Sequence, residues 1–237
     1  MKKILYTCTC AFFFIHASLA QETEPDIDPS KPTNLYTQFN TLAEIDSYNG
    51  YTTYGTRLNF QYAFNPDHLL LAELPLLFND ATNKFGLSDV RFRYFNVIKR
   101  NINKTIIAIA PFADITVPSG SAANGLGGNT WSLAAGAVVG VLLNKHISLF
   151  PGINYVYLTR LKESGIGFQT NMSIMFNQNS FLFLNPIVST FSFDTIWQAE
   201  INYNYIITPN KLKVNTAWNP NFTNRINTFR IGATFFL

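Results

Sequence analysis

Regular alternation of apolar and polar side chains dominates this sequence, and it is clearest close to the final residue. Apolar residues occupy every second position, and arginine, glycine and threonine occupy the positions between them as far as Thr234. The apolar set is Phe229, Ile231, Ala233, Phe235 and Leu237. Successive side chains of a β-strand point to opposite faces, so the pattern predicts a strand with one apolar and one polar face.

Similar segments recur about every fifteen residues along the chain, a spacing that suits strands of about ten residues joined by connections. The predicted strands number twelve, and an even number returns both termini to the same side of a sheet. They begin near Leu35, Thr53, Leu69, Ser88, Lys104, Trp131, His146, Gly165, Ser180, Thr195, Lys211 and Arg225.

The alternation assigns faces to most of these strands. It is strongest in residues 53–64, 165–176, 195–207 and 211–218, where aromatic and aliphatic residues oppose Gly, Asn, Gln and charged residues. Segments 104–116 and 180–190 are apolar at consecutive positions, so their orientation stays open.

The first twenty residues have the layout of a secretory signal peptide. Two lysines precede an apolar run that ends at Ile15, and small residues lead to Ala20. Both cysteines lie within this segment, so the expected mature chain has no disulfide framework and no thiol chemistry. Residues 21–34 are acidic and rich in proline, and they predict a flexible periplasmic N-terminal segment before a barrel over residues 35–237.

Composition points to a membrane rather than an aqueous environment. Charged residues make up 13% of the chain, against about 25% in soluble domains. No segment has the roughly 18 apolar residues that a spanning helix needs; the longest candidate covers residues 131–143. A chain that crosses lipid with strands must close them into a barrel. A soluble barrel or sandwich that buries the same faces is the alternative.

Connection lengths give the predicted barrel a direction. Tight turns rich in asparagine and proline follow alternate strands, whereas the longest connection, residues 117–131, falls on the opposite side. Short periplasmic turns and long external loops are typical of outer-membrane barrels. The fold class is therefore an all-β, closed, antiparallel, up-and-down transmembrane barrel of about 12 strands, with 10–14 possible.

Charged residues on the polar faces are expected in the lumen, because an arginine facing lipid in mid-strand costs roughly 2–4 kcal/mol. They form either a solute path with a charged constriction or a structural ion-pair network that plugs the barrel. A hairpin centred near Asn83 predicts that Glu73 lies opposite Arg93. The polar-face set is Glu44, Arg57, Glu73, Arg91, Arg93, Asp114, Glu200, Lys211, Lys213 and Arg230; the candidate solute-path residues are Arg57, Glu73, Arg91, Arg93, Glu200 and Arg230.

Two stretches, residues 86–98 and 111–140, resemble the outer-membrane family named after the meta-pathway of phenol degradation. The matching features are a Gly-x-x-Asp strand opening, a strand ending in Pro-x-Gly, and a Gly-rich loop with a Thr-Trp-Ser restart; the residues are Gly86, Asp89, Pro118, Gly120 and Gly128 to Ser132. The resemblance implies a porin-like transport barrel for small hydrophobic or aromatic compounds, and it carries over no catalytic residue.

The expected function is an outer-membrane channel for a small solute, and the alternative is a structural or surface-interaction barrel with a plugged lumen. A lipid-modifying enzyme fits less well, because His68 and His146 fall beside predicted periplasmic turns. We predict no catalytic residue, cofactor or metal site. Without the signal peptide, 15 basic residues balance 14 acidic ones, which gives no basic field for nucleic acid. The expected partners are membrane lipid, lipopolysaccharide, a small-molecule solute and the barrel assembly machinery.

Overall fold

A computed structural model describes residues 27–237, so the predicted signal peptide and residues 21–26 lie outside the described residues. Twelve barrel strands are formed within this range. They are β1 Gln38–Ser47, β2 Thr52–Asn65, β3 His68–Asn79, β4 in three pieces (Lys84–Leu87, Val90–Asn96 and Lys99–Arg100), β5 Ile106–Val117, β6 Ser132–Leu142, β7 Ile147–Leu158, β8 Glu163–Asn177, β9 Ser180–Phe191, β10 Thr195–Thr208, β11 Leu212–Asn221 and β12 Ile226–Phe236.

The strands close into one antiparallel barrel. Each strand pairs with its neighbours in sequence, and β12 pairs with β1 from Gln38 opposite Phe236 to Ser47 opposite Asn227. The predicted closed barrel of about twelve strands is therefore confirmed. Among residues 27–237, no helix is long and apolar enough to cross a bilayer.

The outer surface is apolar, as the alternation predicts. Aromatic and aliphatic side chains of β2, β8, β10 and β12 project outward, whereas the residues between them face the interior. The outward set includes Tyr54, Phe60, Tyr62, Ile166, Phe168, Trp197, Tyr203, Phe229 and Ile231, and each is at least 40% exposed. In a closed barrel such a surface is covered by lipid hydrocarbon.

Replacing Phe168 with arginine should destabilise the barrel by roughly 2–4 kcal/mol, because Phe168 projects outward from the middle of β8 and the charge would enter hydrocarbon. The matched control is Gln169→Arg, whose side chain projects to the interior. Urea unfolding in lipid vesicles measures both changes. Equal losses for the two variants would contradict the assignment of faces.

The register predicted for the β3–β4 hairpin is wrong. Glu73 lies opposite Arg91, and Arg93 lies opposite Leu71. The ladder between β3 and β4 shifts where Ser88 and Asp89 interrupt β4, since the Ser88 amide instead donates to the Pro75 carbonyl at 2.8 Å. The hairpin is also centred before Asn83, because Asn79 pairs with Lys84. The resulting register differs from the predicted one by two residues, so the predicted inward and outward faces are kept.

Connections at the two ends differ less than the sequence suggests. The predicted tight turns all occur at the end that carries residue 237, and Asn101 and Asn210 there adopt positive φ angles, which asparagine tolerates. At the opposite end, five of the six connections have three or four residues. The predicted difference in length therefore comes from one loop, residues 118–131.

Strands β5 and β9, whose orientation the alternation left open, form an apolar part of the interior wall. Ala108, Ala110 and Phe112 of β5 point inward and pack in a cluster with Leu69 of β3, Val97 and Val138. On β9, Phe181 is buried. One face of each strand contacts lipid. The inner face of β5 contacts this cluster, and the inner face of β9 carries Phe181 and Phe183, so both faces are apolar.

Candidate functional site

A carboxylate on β1 is the centre of the charged lumen. Glu44 is fully buried between two arginines from the neighbouring strands. Arg57 of β2 donates from Nε and Nη2 to the two Glu44 oxygens at 2.6 and 2.7 Å, and Arg230 of β12 donates from Nε at 2.5 Å. Charge-assisted, bidentate bonds of this kind are strong and fix both side chains.

A second group of ion pairs continues around the wall. Glu73 of β3 lies between two arginines, 3.5 Å from Arg57 Nη1 and 3.7 Å from Arg91 Nη1. Asp114 of β5 accepts from Arg91 Nη2 at 2.5 Å and from Arg93 Nη2 at 2.6 Å. Cations and carboxylates thus alternate across six strands, and we call this set the ion-pair chain: Arg230, Glu44, Arg57, Glu73, Arg91, Asp114 and Arg93.

The structure places all six predicted solute-path residues on the wall of one lumen cavity of about 590 Å³: Arg57, Glu73, Arg91, Arg93, Glu200 and Arg230. Their role in solute passage remains a prediction. Glu44 and Asp114 belong to the polar-face pattern but not to the predicted path, and they prove to be the centres of the network. Their central position follows from which strands are neighbours in the closed barrel, and the sequence alone does not give this pairing.

Lys211 and Glu200, two charged residues of the polar-face set, take no part in the ion-pair chain. Lys211 lies in the turn before β11 and is exposed, so its predicted inward position is wrong. Glu200 is in the lumen, but within residues 27–237 no cationic nitrogen lies within 4.0 Å of its carboxylate.

Two cavities formed by residues 27–237 lie along the axis of the lumen. The cavity of about 590 Å³ lies towards the periplasmic end, and a second of about 360 Å³ lies towards the outer end. Arg57, Glu200 and Arg230 line both. These three charged side chains therefore lie where the two cavities meet. The larger cavity also reaches Asp89 and Thr116 near the outer end.

The described part of the predicted flexible segment, residues 27–34, packs against the periplasmic end of the barrel. Ser30 and Thr33 are buried, and the Ile27 amide donates to Asn210 Oδ1 at 3.0 Å. Leu35, which follows, belongs to the apolar cluster of the lumen. Several residues of this segment line the periplasmic cavity: Pro29, Lys31, Pro32 and Asn34. An acidic, Pro-rich composition does not reveal this packing, because the contacts come from distant strands.

Asp28 organises this segment. Its carboxylate accepts hydrogen bonds from Ser30 Oγ at 2.5 Å and Lys31 Nζ at 2.8 Å, while its amide donates to Tyr36 Oη at 2.8 Å. Burial raises the pKa of Asp28, but the bonds from Lys31 and Ser30 outweigh it and hold the pKa below its ordinary value. Asp28 is therefore ionised throughout the neutral range.

The long outer loop, residues 118–131, is held against the barrel rim. The Asp89 carboxylate accepts from the amides of Gly120 at 3.0 Å and Gly128 at 2.7 Å. Leu126 is buried, and inward-facing Asn79 donates to the Gly125 carbonyl at 3.3 Å. The glycines of this loop permit close contact with Asp89, because a Cβ at Gly127 would lie 2.4 Å from its oxygen.

Neither histidine of the described chain lies in the lumen network. His68 Nδ1 is 2.5 Å from Tyr94 Oη near the periplasmic end, and His146 is exposed in a turn. Within residues 27–237, no group of three His, Cys, Asp or Glu side chains is placed to hold a metal ion. The charged groups of the lumen are held in ion pairs or line the cavities, an arrangement suited to contact with a solute.

Comparison with known proteins shows likeness in structure alone. No sequence-family model matches the chain, and no curated protein matches it. Among solved structures, the NanC porin has a TM-score of 0.64 at 12% identity, covering 84% of this chain and 100% of its own. An outer membrane channel from Pseudomonas putida F1 has a TM-score of 0.61 at 11% identity, covering 91% and 100%.

A third neighbour is the KdgM porin in complex with disordered oligogalacturonate, with a TM-score of 0.60 at 11% identity, covering 84% of this chain and 98% of its own. The chain has an outer-membrane porin fold. Together with its apolar exterior, this fold places the protein in the bacterial outer membrane. Identities this low show the fold and not the solute.

Proposed function

We propose that this barrel is an outer-membrane channel for diffusion of a small solute. The main support for this proposal is the pair of lumen cavities, which share Arg57, Glu200 and Arg230 as lining residues. Two cavities that meet at a group of charged side chains are the arrangement expected of a selective path. The neighbouring porin structures support the same function.

The solute is expected to be small and polar at one end. A barrel of eight strands is filled by side chains and one of sixteen leaves an aqueous channel, so twelve strands leave a narrow lumen. Resemblance to the phenol-degradation family suggests a hydrophobic or aromatic compound. Among the described residues, Tyr36 and Phe183 are the only aromatic side chains that line the periplasmic cavity, and the other lining residues are mostly polar or charged. We therefore propose an aromatic compound that carries a polar or charged group.

Purified mature protein should produce discrete current steps in planar bilayers and should allow small solutes to swell liposomes. The narrow lumen of a twelve-stranded barrel predicts small unitary currents, because it admits few ions at once. Heat-denatured protein is the control. Folded, heat-modifiable protein that neither conducts ions nor swells liposomes would overturn the channel proposal.

A second candidate is a structural or surface-interaction barrel with a plugged lumen. Packing of residues 27–34 at the periplasmic end favours it, because this segment occupies part of the mouth. Under this alternative the intact barrel is electrically silent and conducts only after the segment is removed.

A further inference from the structure

The lumen has two walls of different character. Strands β12 and β1 to β5 carry the ion-pair chain, in which each arginine already donates to a carboxylate. The opposite wall, from β8 to β11, is rich in amides and contributes one lysine to the periplasmic cavity. Its lining residues are Asn171, Phe183, Glu200, Asn202, Lys213 and Asn215.

Lys213 is a cation without an acidic partner. Within residues 27–237, no carboxylate oxygen lies within 4.0 Å of its Nζ, and its ammonium group makes no protein hydrogen bond. Its Nζ instead lies 5.6 Å from the centroid of the Phe181 ring. The ring face attracts the ammonium group but cannot satisfy all three of its N–H donors. The remaining N–H donors are available to an anion in the cavity.

Unpartnered acceptors occur in the same cavity. Asn171 Oδ1 and Asn59 Oδ1 are enclosed, line the periplasmic cavity and accept no hydrogen bond from the protein. Enclosed polar atoms normally have a partner, because leaving one without costs about 1–3 kcal/mol. These two oxygens have almost no accessible surface, so Lys213 is the group that the cavity offers to a solute, as an anion site.

We propose that the periplasmic cavity holds a solute-binding site for a small carboxylate, in which Lys213 binds the carboxylate group. This proposal rests on the channel function and names the chemistry of its solute. The volume of about 590 Å³ is within the range of small-molecule sites. The ion-pair chain forms the facing wall, and its arginines are held by their own carboxylates.

Binding of 4-hydroxybenzoate tests this site, with neutral 4-hydroxybenzyl alcohol as the matched compound. We expect the acid to stabilise detergent-solubilised protein against heat and to block its current in bilayers, with the alcohol at least about tenfold weaker in both. Lys213→Met should weaken binding of the acid by about tenfold or more, and Lys213→Arg should retain it. Lys211→Met, which removes the same charge from the exposed turn two residues away, should bind like the unaltered protein.

The outcomes separate this proposal from the channel itself. Absence of current, together with Lys213-dependent binding in detergent, would overturn the channel function and leave the site standing. Conduction with equal block by acid and alcohol, or equal binding by the Lys213→Met and Lys211→Met proteins, would overturn the site. Loss of binding in both Lys213→Met and Lys213→Arg would show that packing at this position matters rather than charge, which also overturns it.

Discussion

Replacing Glu44 with alanine should lower the free energy of unfolding by about 3–5 kcal/mol, the largest effect on stability expected of any single lumen substitution. Glu44 is fully buried and binds Arg57 and Arg230 at 2.5–2.7 Å. Its removal leaves Arg230 without its carboxylate and leaves Arg57 with only the more distant Glu73, 3.5 Å from its Nη1, so the two neighbouring cations repel each other.

The matched control is Glu200→Ala, because Glu200 is also a lumen glutamate but lies in no ion pair within residues 27–237. Urea unfolding in lipid vesicles gives the free energies, and the temperature at which the folded band disappears on a detergent gel gives an independent ranking. Equal stability of the Glu44→Ala and Glu200→Ala proteins would show that the Glu44 contacts add nothing to the fold.

Deleting residues 27–34 should raise the single-channel conductance on the order of twofold. The interior of a barrel of this size is only a few side chains wide, so one chain segment at the mouth takes up a comparable share of the cross-section. Pro29, Lys31, Pro32 and Asn34 line the cavity that the ions must cross. Unitary currents in planar bilayers measure the change.

Two point variants separate the loss of chain from the loss of charge. Asp28→Ala removes the bonds from Ser30 and Lys31 and should give noisier, larger currents. Asp80→Ala removes a carboxylate from an exposed outer turn, where it accepts only from the Thr52 amide at 2.8 Å, and should leave the current unchanged. Conductance that stays constant after the deletion would show that this segment does not narrow the path.

Strand positions and faces could be predicted from the sequence because both depend on local alternation. A side chain such as Phe168 or Arg230 has its face decided by its position within one strand. Register is harder to predict. Asn79 pairs with Lys84, so the hairpin is centred before Asn83, and the interruption of β4 then shifts the ladder by one residue to place Arg91 opposite Glu73. Nothing in the alternation marks either feature.

Interior contacts could be predicted only in part. The lumen arginines follow from the cost of charge in hydrocarbon, but their carboxylate partners depend on which strands become neighbours after closure. Strands β5 and β9 had no predicted orientation because an apolar lumen wall removes the contrast between their faces. The packing of residues 27–34 was missed for a related reason, since its partners, such as Asn210, are distant in sequence.

Glu44 lies on the first strand, and one of its two arginines lies on the last. In a nascent sheet whose ends have not met, Arg230 has no access to this carboxylate, so the interior network is complete only after β12 reaches β1. We therefore expect circularisation of the sheet and burial of these charges to occur as one cooperative event. An assembly intermediate stalled before that event would carry an unneutralised guanidinium along its open edge.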